Sequence, residues 1–174
     1  PGQVHACRSE SPSGHSYRAL SVRAEIMQSI ACQISGLPEK TPFFKYVRYT
    51  HEALSDQIKQ LFAIMDAPES DLQVESMLFA LLAFLIGHFS ASPPPIDQTQ
   101  HPKDSIKRAC DYIARNYKAY MSLKQLSDVA CLSPFHFQRE FKRQIGITPH
   151  EFLSDCRIRE AKKMLLRSGD IADI

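Results

Sequence analysis

Phe135, His136, Arg139, Lys142 and Arg143 fall on one side of a helical wheel drawn through residues 134–145, with Gln138 on its flank. Phe137, Phe141 and Ile145 are spaced four apart on the other side, which predicts that they pack inward. An open face of this make-up suits the edges of bases in a DNA major groove. Arginine can pair with guanine through two hydrogen bonds, glutamine with adenine, and an aromatic ring can lie on a thymine methyl. Lysine and arginine at the rim can meet phosphates. The plain alternative is a solvated basic face. Phe135 argues against it, because a ring at an open N-terminal position exposes apolar surface unless something covers it.

The elements that must hold this face are marked by their ends. Ser122 with Gln125 forms a capping box that opens a short helix from Leu123 to about Ala130. Ser133 caps the next helix, and Pro134 stands at its first position, where a missing N–H costs nothing. Gly146 stops that helix, and Thr148-Pro149-His150-Glu151 starts another that runs to about Arg167. Ile106, Ala109, Cys110, Ile113, Ala114 and Tyr117 make the apolar stripe of a preceding helix over 104–118. Two short helices joined by a three-residue turn, with a helix on either side, form a helix-turn-helix pattern. Helix starts present unpaired N–H groups that bind phosphate. Ser122, Lys124 and Ser133, at those starts, complete the candidate DNA-binding set.

The rest of the chain offers little chemistry. Cys7, Cys32, Cys110, Cys131 and Cys156 are scattered, odd in number and form no CxxC pair. They read as reduced thiols used as small apolar side chains. Cys7, between His5 and Arg8, is the one candidate for a reactive thiol. Taken by itself, His5 reads as a metal ligand or a plain histidine. A metal site needs three or four ligands and only one candidate is visible, so no metal is expected. Nothing in the pattern asks for a cofactor or for bond chemistry.

The chain has 174 residues, 44% hydrophobic and 23% charged, which excludes disordered and disulfide-scaffold classes. Its formal charge of +2 hides a split. Residues 1–100 carry seven basic and ten acidic side chains, net −3; residues 101–174 carry fourteen and nine, net +5. Ser90-Ala91-Ser92-Pro93-Pro94-Pro95 and the polar stretch to Pro102 lie between them and predict a linker over 91–102. The longest apolar run, Met77–Ile86, is ten residues against the roughly 20 that a membrane helix needs. No charged start followed by an apolar stretch marks a secretory signal, so a cytoplasmic protein without a membrane partner is expected.

The acidic half reads as loop to about Ser16, then a short strand over Tyr17–Arg23, then three helices. The first covers Ala24–Ser35 and stops at Gly36. Thr50 is expected to cap the second, which carries Leu54, Ile58, Leu61, Phe62 and Met65. Ser70 with Gln73 opens the third, which is apolar nearly all round from Met77. Such a helix is either buried within its own domain or shared with the same helix of a second subunit.

The basic half resembles the AraC/XylS family of bacterial transcription regulators. The resemblance rests on Ser122-Leu123-Lys124-Gln125-Leu126-Ser127, on Leu132-Ser133-Pro134-Phe135-His136-Phe137-Gln138-Arg139-Glu140-Phe141-Lys142, on Gly146-Ile147-Thr148-Pro149-His150-Glu151-Phe152, and on Arg157 through Leu166. A weaker likeness extends to Pro1-Gly2-Gln3-Val4-His5 and to Pro42-Phe43-Phe44. It implies a mainly α chain: the tail of a small cupin-like β-barrel effector domain and its dimerisation helices over 1–90, then a helix-turn-helix DNA-binding domain over 103–174. Ile171-Ala172-Asp173-Ile174 would open a second motif that is cut short. The implied function is a sequence-specific regulator, of activator type. It would place helix 134–145 in a major groove, answer a small-molecule effector held near His5, and dimerise through the 50–90 helices, with RNA polymerase as a further partner. Ser127 and Cys131 depart from the Ala and Gly usual in such a turn. A positive φ at Cys131 would cost about 1 kcal/mol relative to Gly. Two rivals stand beside this reading. One is an interaction module whose basic face binds an acidic protein; the other is a DNA-repair methyl acceptor fused to the same motif.

Overall fold

The computed structural model describes residues 18–46, 48–96 and 103–168. It is built of α-helices: α1 (Ala24–Ser35), α2 (Glu52–Asp66), α3 (Asp71–Phe89), α4 (Lys103–Asn116), α5 (Leu123–Ala130), α6 (Pro134–Ile145) and α7 (Pro149–Ser168). No strand occurs among the described residues. The expected strand at 17–23 is absent over 18–23, and the lone antiparallel bridge joins Phe44 to Ser90. The Phe44–Ser90 bridge, with Ala91 N–H donating to the Phe43 carbonyl at 2.7 Å, ties the end of α3 to the segment before α2.

Local chemistry explains most of the helix ends. The Ser70, Ser122 and Ser133 hydroxyls each accept a hydrogen bond from the backbone N–H three residues on. Gly36 and Gly146 close α1 and α6 in the left-handed conformation. The expected cap Thr50 is corrected: His51 caps α2, its Nδ1 accepting from Leu54 N–H. An imidazole nitrogen serves here as a serine oxygen would. Edge-on contacts with Phe84 and Phe89 help to fix the ring.

α3 is the spine. It packs against α1, α2, α5, α6 and α7, and its side chains enter three apolar clusters. Leu72 joins Ile106, Ile113, Leu126, Phe137, Phe141 and Leu153 of the α4–α7 half. Leu82 and Ile86 meet Ile30 and Ile34 of α1. Leu81 meets Leu54 and Leu61 of α2. This distribution accounts for a helix that is apolar all round. By length and composition alone α3 could also cross a membrane, a possibility that the ten-residue run had hidden. In the fold it is instead a core helix with neighbours from both halves of the chain.

Candidate nucleic-acid interface

α5 and α6 are set by a shared core and by hydrogen bonds from their flanking helices. Phe137 and Phe141 are fully buried, with ring centroids 5.5 Å apart, and Phe152 of α7 stands edge-on to Phe141. Leu126, Ser127 and Ala130 of α5 are fully buried against them. The small Ser127 fits because its hydroxyl donates to the Lys124 carbonyl at 2.8 Å. The turn uses Cys131 at φ 56° and ψ 42°, so the residue that replaces the usual glycine does adopt the left-handed conformation. Arg108 of α4 donates to the carbonyls of Val129 and Ala130 and so neutralises the end of α5. Arg157 of α7 likewise holds the Tyr117 carbonyl at 2.9 Å.

The open face differs from the helical wheel. Lys142 and Arg143 are exposed, as expected. His136 is instead buried, its Nδ1 2.9 Å from the Ser133 hydroxyl. Phe135 packs against the α1–α3 cluster. Gln138 is half-buried, and its Nε2 has no partner among the described residues. Ile145, expected inside, is exposed. A wheel separates what faces a helix's own core from what does not. It is blind to an element that arrives from elsewhere in the chain, and here α1 and α3 cover the start of α6.

The basic side chains are organised by a residue that the wheel did not single out. Glu140 is buried and accepts from Arg143 Nε and NH2 at 3.0 and 2.6 Å, with Gln144 at 3.4 Å and Arg139 at 3.6 Å. The Arg143 hydrogen bonds hold its carboxyl below the usual carboxylate range despite burial. Arg139 also lies 5.7 Å from the Phe135 ring centre. The spacing of Glu140 to Arg143 and Gln144, three and four along a helix, was the available signal. Ser122 and Ser133 spend their hydroxyls as caps, and Lys124 pairs with Asp128 at 2.7 Å on the surface. His5 and Cys7 lie outside the described residues. Burial pushes the Cys110 thiol up to about 11, the reverse of an activated nucleophile.

Two family models match the chain in tandem. The AraC-like ligand binding domain matches residues 1–82, and a helix-turn-helix domain matches residues 126–174. The chain is thus similar to AraC-like regulators in its first part and to helix-turn-helix domains in its last. Among its relatives is the uncharacterized HTH-type transcriptional regulator YbfI of Bacillus subtilis. It is 28% identical over 165 residues, 95% of this chain and 59% of that protein. The bifunctional transcriptional activator/DNA repair enzyme AdaA of the same organism is 32% identical over 82 residues, 45% of this chain and 39% of AdaA. The HTH-type transcriptional activator Btr, also from B. subtilis, is 25% identical over 115 residues, 66% of this chain and 18% of Btr. The chain thus spans less than two thirds of the length of these relatives. No solved structure matches it.

Proposed function

We propose that the chain is part of a transcription regulator that binds double-stranded DNA through α5 and α6 and answers a small-molecule effector. The observation that carries this reading is the α5–turn–α6 unit. Both helices are capped and share one core, and α6 carries a cluster of basic side chains held together by Glu140. In this reading α6 enters a major groove. Arg139, Lys142 and Arg143 address base edges and phosphates, Phe135, His136 and Gln138 are the further candidates on a helix start that α1 and α3 cover, and the α5 and α6 starts around Ser122, Lys124 and Ser133 meet the backbone. The acidic half, 1–90, serves as the end of a cupin-like effector domain and as a dimerisation region through its 50–90 helices. Residues 91–102 link it to the DNA-binding part at 103–174. The likeness to proteins named transcriptional activators supports activation; in this reading the chain acts by binding, with RNA polymerase as a partner, in the cytoplasm.

The test is fluorescence anisotropy with duplexes enriched from a random pool. Affinity is expected to fall steeply as salt rises. Arg139→Ala is expected to weaken binding by about five- to 150-fold, the range of one lost base contact. Binding that ignores salt, or that is unchanged in Arg139→Ala, removes the reading.

A further inference from the structure

The helix starts assigned above to phosphate are occupied within this chain. Leu123 N–H, at the first position of α5, donates to Glu75 Oε2 of α3 at 2.7 Å. Phe135 N–H, in the first turn of α6, donates to Gln33 Oε1 of α1 at 3.3 Å. Further along α6, Phe79, Ala80 and Ala83 of α3 line a cleft of about 370 Å³ with Phe135, Gln138 and Arg139. A third tie lies further along. His150, at the start of α7, contacts the Ser70 hydroxyl at 3.2 Å and the Glu69 carboxylate at 3.0 Å. A carboxylate on a helix-start N–H, a side-chain carbonyl on the next, and an apolar wall against the base-reading side chains together reproduce what DNA would present.

We infer that α1 and α3 act as an intramolecular stand-in for DNA, with Glu75 in the place of a phosphate, so that the helix-turn-helix is closed to DNA until they withdraw. The inference rests on the DNA-binding reading of α5 and α6. The contact is built to be reversible. Gln138 Nε2 is buried in it without a partner among the described residues, and an unsatisfied buried amide penalises the closed arrangement. Opening gives that amide water or a base edge. Glu75 and Gln33 are only half-buried, so both can exchange their bonds for water. Duplex DNA and the α1–α3 surface therefore compete for the same N–H groups and the same face of α6, and any effector that loosens α1–α3 raises DNA affinity through that competition.

The test uses the whole chain carrying Gln33→Ala and Glu75→Gln together. Asp56→Asn on α2, which removes the same charge away from α6, is the control. The probe is a random-sequence DNA duplex at low salt. The double variant is expected to bind about tenfold more tightly than the control. Without DNA, its Leu123 and Phe135 amides are expected to exchange hydrogen faster, while its circular dichroism and melting stay close to those of the parent chain. Affinity equal to the control, or unchanged exchange at both amides, overturns the inference while leaving DNA binding intact. If neither the parent chain nor any variant binds duplex DNA in a salt-dependent way, the DNA-binding reading itself fails and takes the inference with it.

Discussion

The α4–α7 half gathers its buried side chains into one cluster that includes Phe137 and Phe141, whereas α1–α3 divide theirs into two smaller clusters along α3. The larger cluster is held together by polar ties between helices as well. Arg108 and Arg157 cap carbonyls of neighbouring elements, and within α6 Glu140 holds Arg143 and Gln144. In α1–α3 the Tyr49 hydroxyl donates to the Phe89 carbonyl at 3.2 Å, and the Arg18–Asp66 pair at 2.7 Å lies exposed on the surface. Exposed pairs of that kind contribute little. The difference teaches where rigidity is placed. The half proposed to read DNA is a preformed unit, while the half that covers it is joined to it through α1 and α3.

Leu72 is the point at which that contrast can be broken. It belongs to α3 by sequence and is fully buried in the α4–α7 cluster. Leu72→Ala is expected to cost about 2–5 kcal/mol, as for other buried leucines. Hydrogen exchange should then accelerate in α4 and α5 as well as in α3. If only α3 loses protection, the two halves are independent and the spine is not shared.

Much of this arrangement was legible in the residues. Ser70, Ser122, Ser133-Pro134 and Gly146 announced helix ends because caps act through bonds to residues a few positions away. The two phenylalanines of α6 announced the core for the same local reason. What could not be read was set by distant contacts. His51 replaces Thr50 as a cap where its ring also meets Phe84 and Phe89, and Phe135, His136 and Gln138 left the open face because Ser133, α1 and α3 claim them. Residue types therefore showed what α6 could recognise, but not that part of its face was already taken.

Glu140 offers a smaller and more specific probe of the rigid half. Its carboxyl is held below the ordinary value of 4.5, so the unfolded chain takes up its proton first as pH falls. The stability it contributes is therefore present above the usual carboxylate range and is lost as pH drops through the lower, folded value. Glu140→Gln is expected to cost about 1–2 kcal/mol at neutral pH, for charge-assisted bonds with one exposed partner. The gap between parent and variant should close only below about pH 4.5. Urea unfolding across that range measures it. A gap that does not depend on pH would mean that the Arg143 pairing adds nothing beyond what an amide supplies.

The smallest effect expected lies in the turn itself and has the opposite sign. Among the described residues, φ is positive at Gly36, Gly146 and Cys131, so the helix-turn-helix turn is where a side chain bears this conformation. A left-handed non-glycine residue costs on the order of 1–2 kcal/mol. Part of this is recovered in the unfolded chain, where glycine has more freedom to lose. The Cys131 side chain is exposed, so its removal gives up little packing. Cys131→Gly is therefore expected to stabilise the chain by about 0.5–1 kcal/mol net, raising the melting temperature by about 1–4 °C. Cys131→Ala keeps the β-carbon and should melt with the parent. If glycine lowers the melting temperature instead, the turn is not under strain. The rigidity assigned to α5 and α6 would then draw on the cysteine side chain itself.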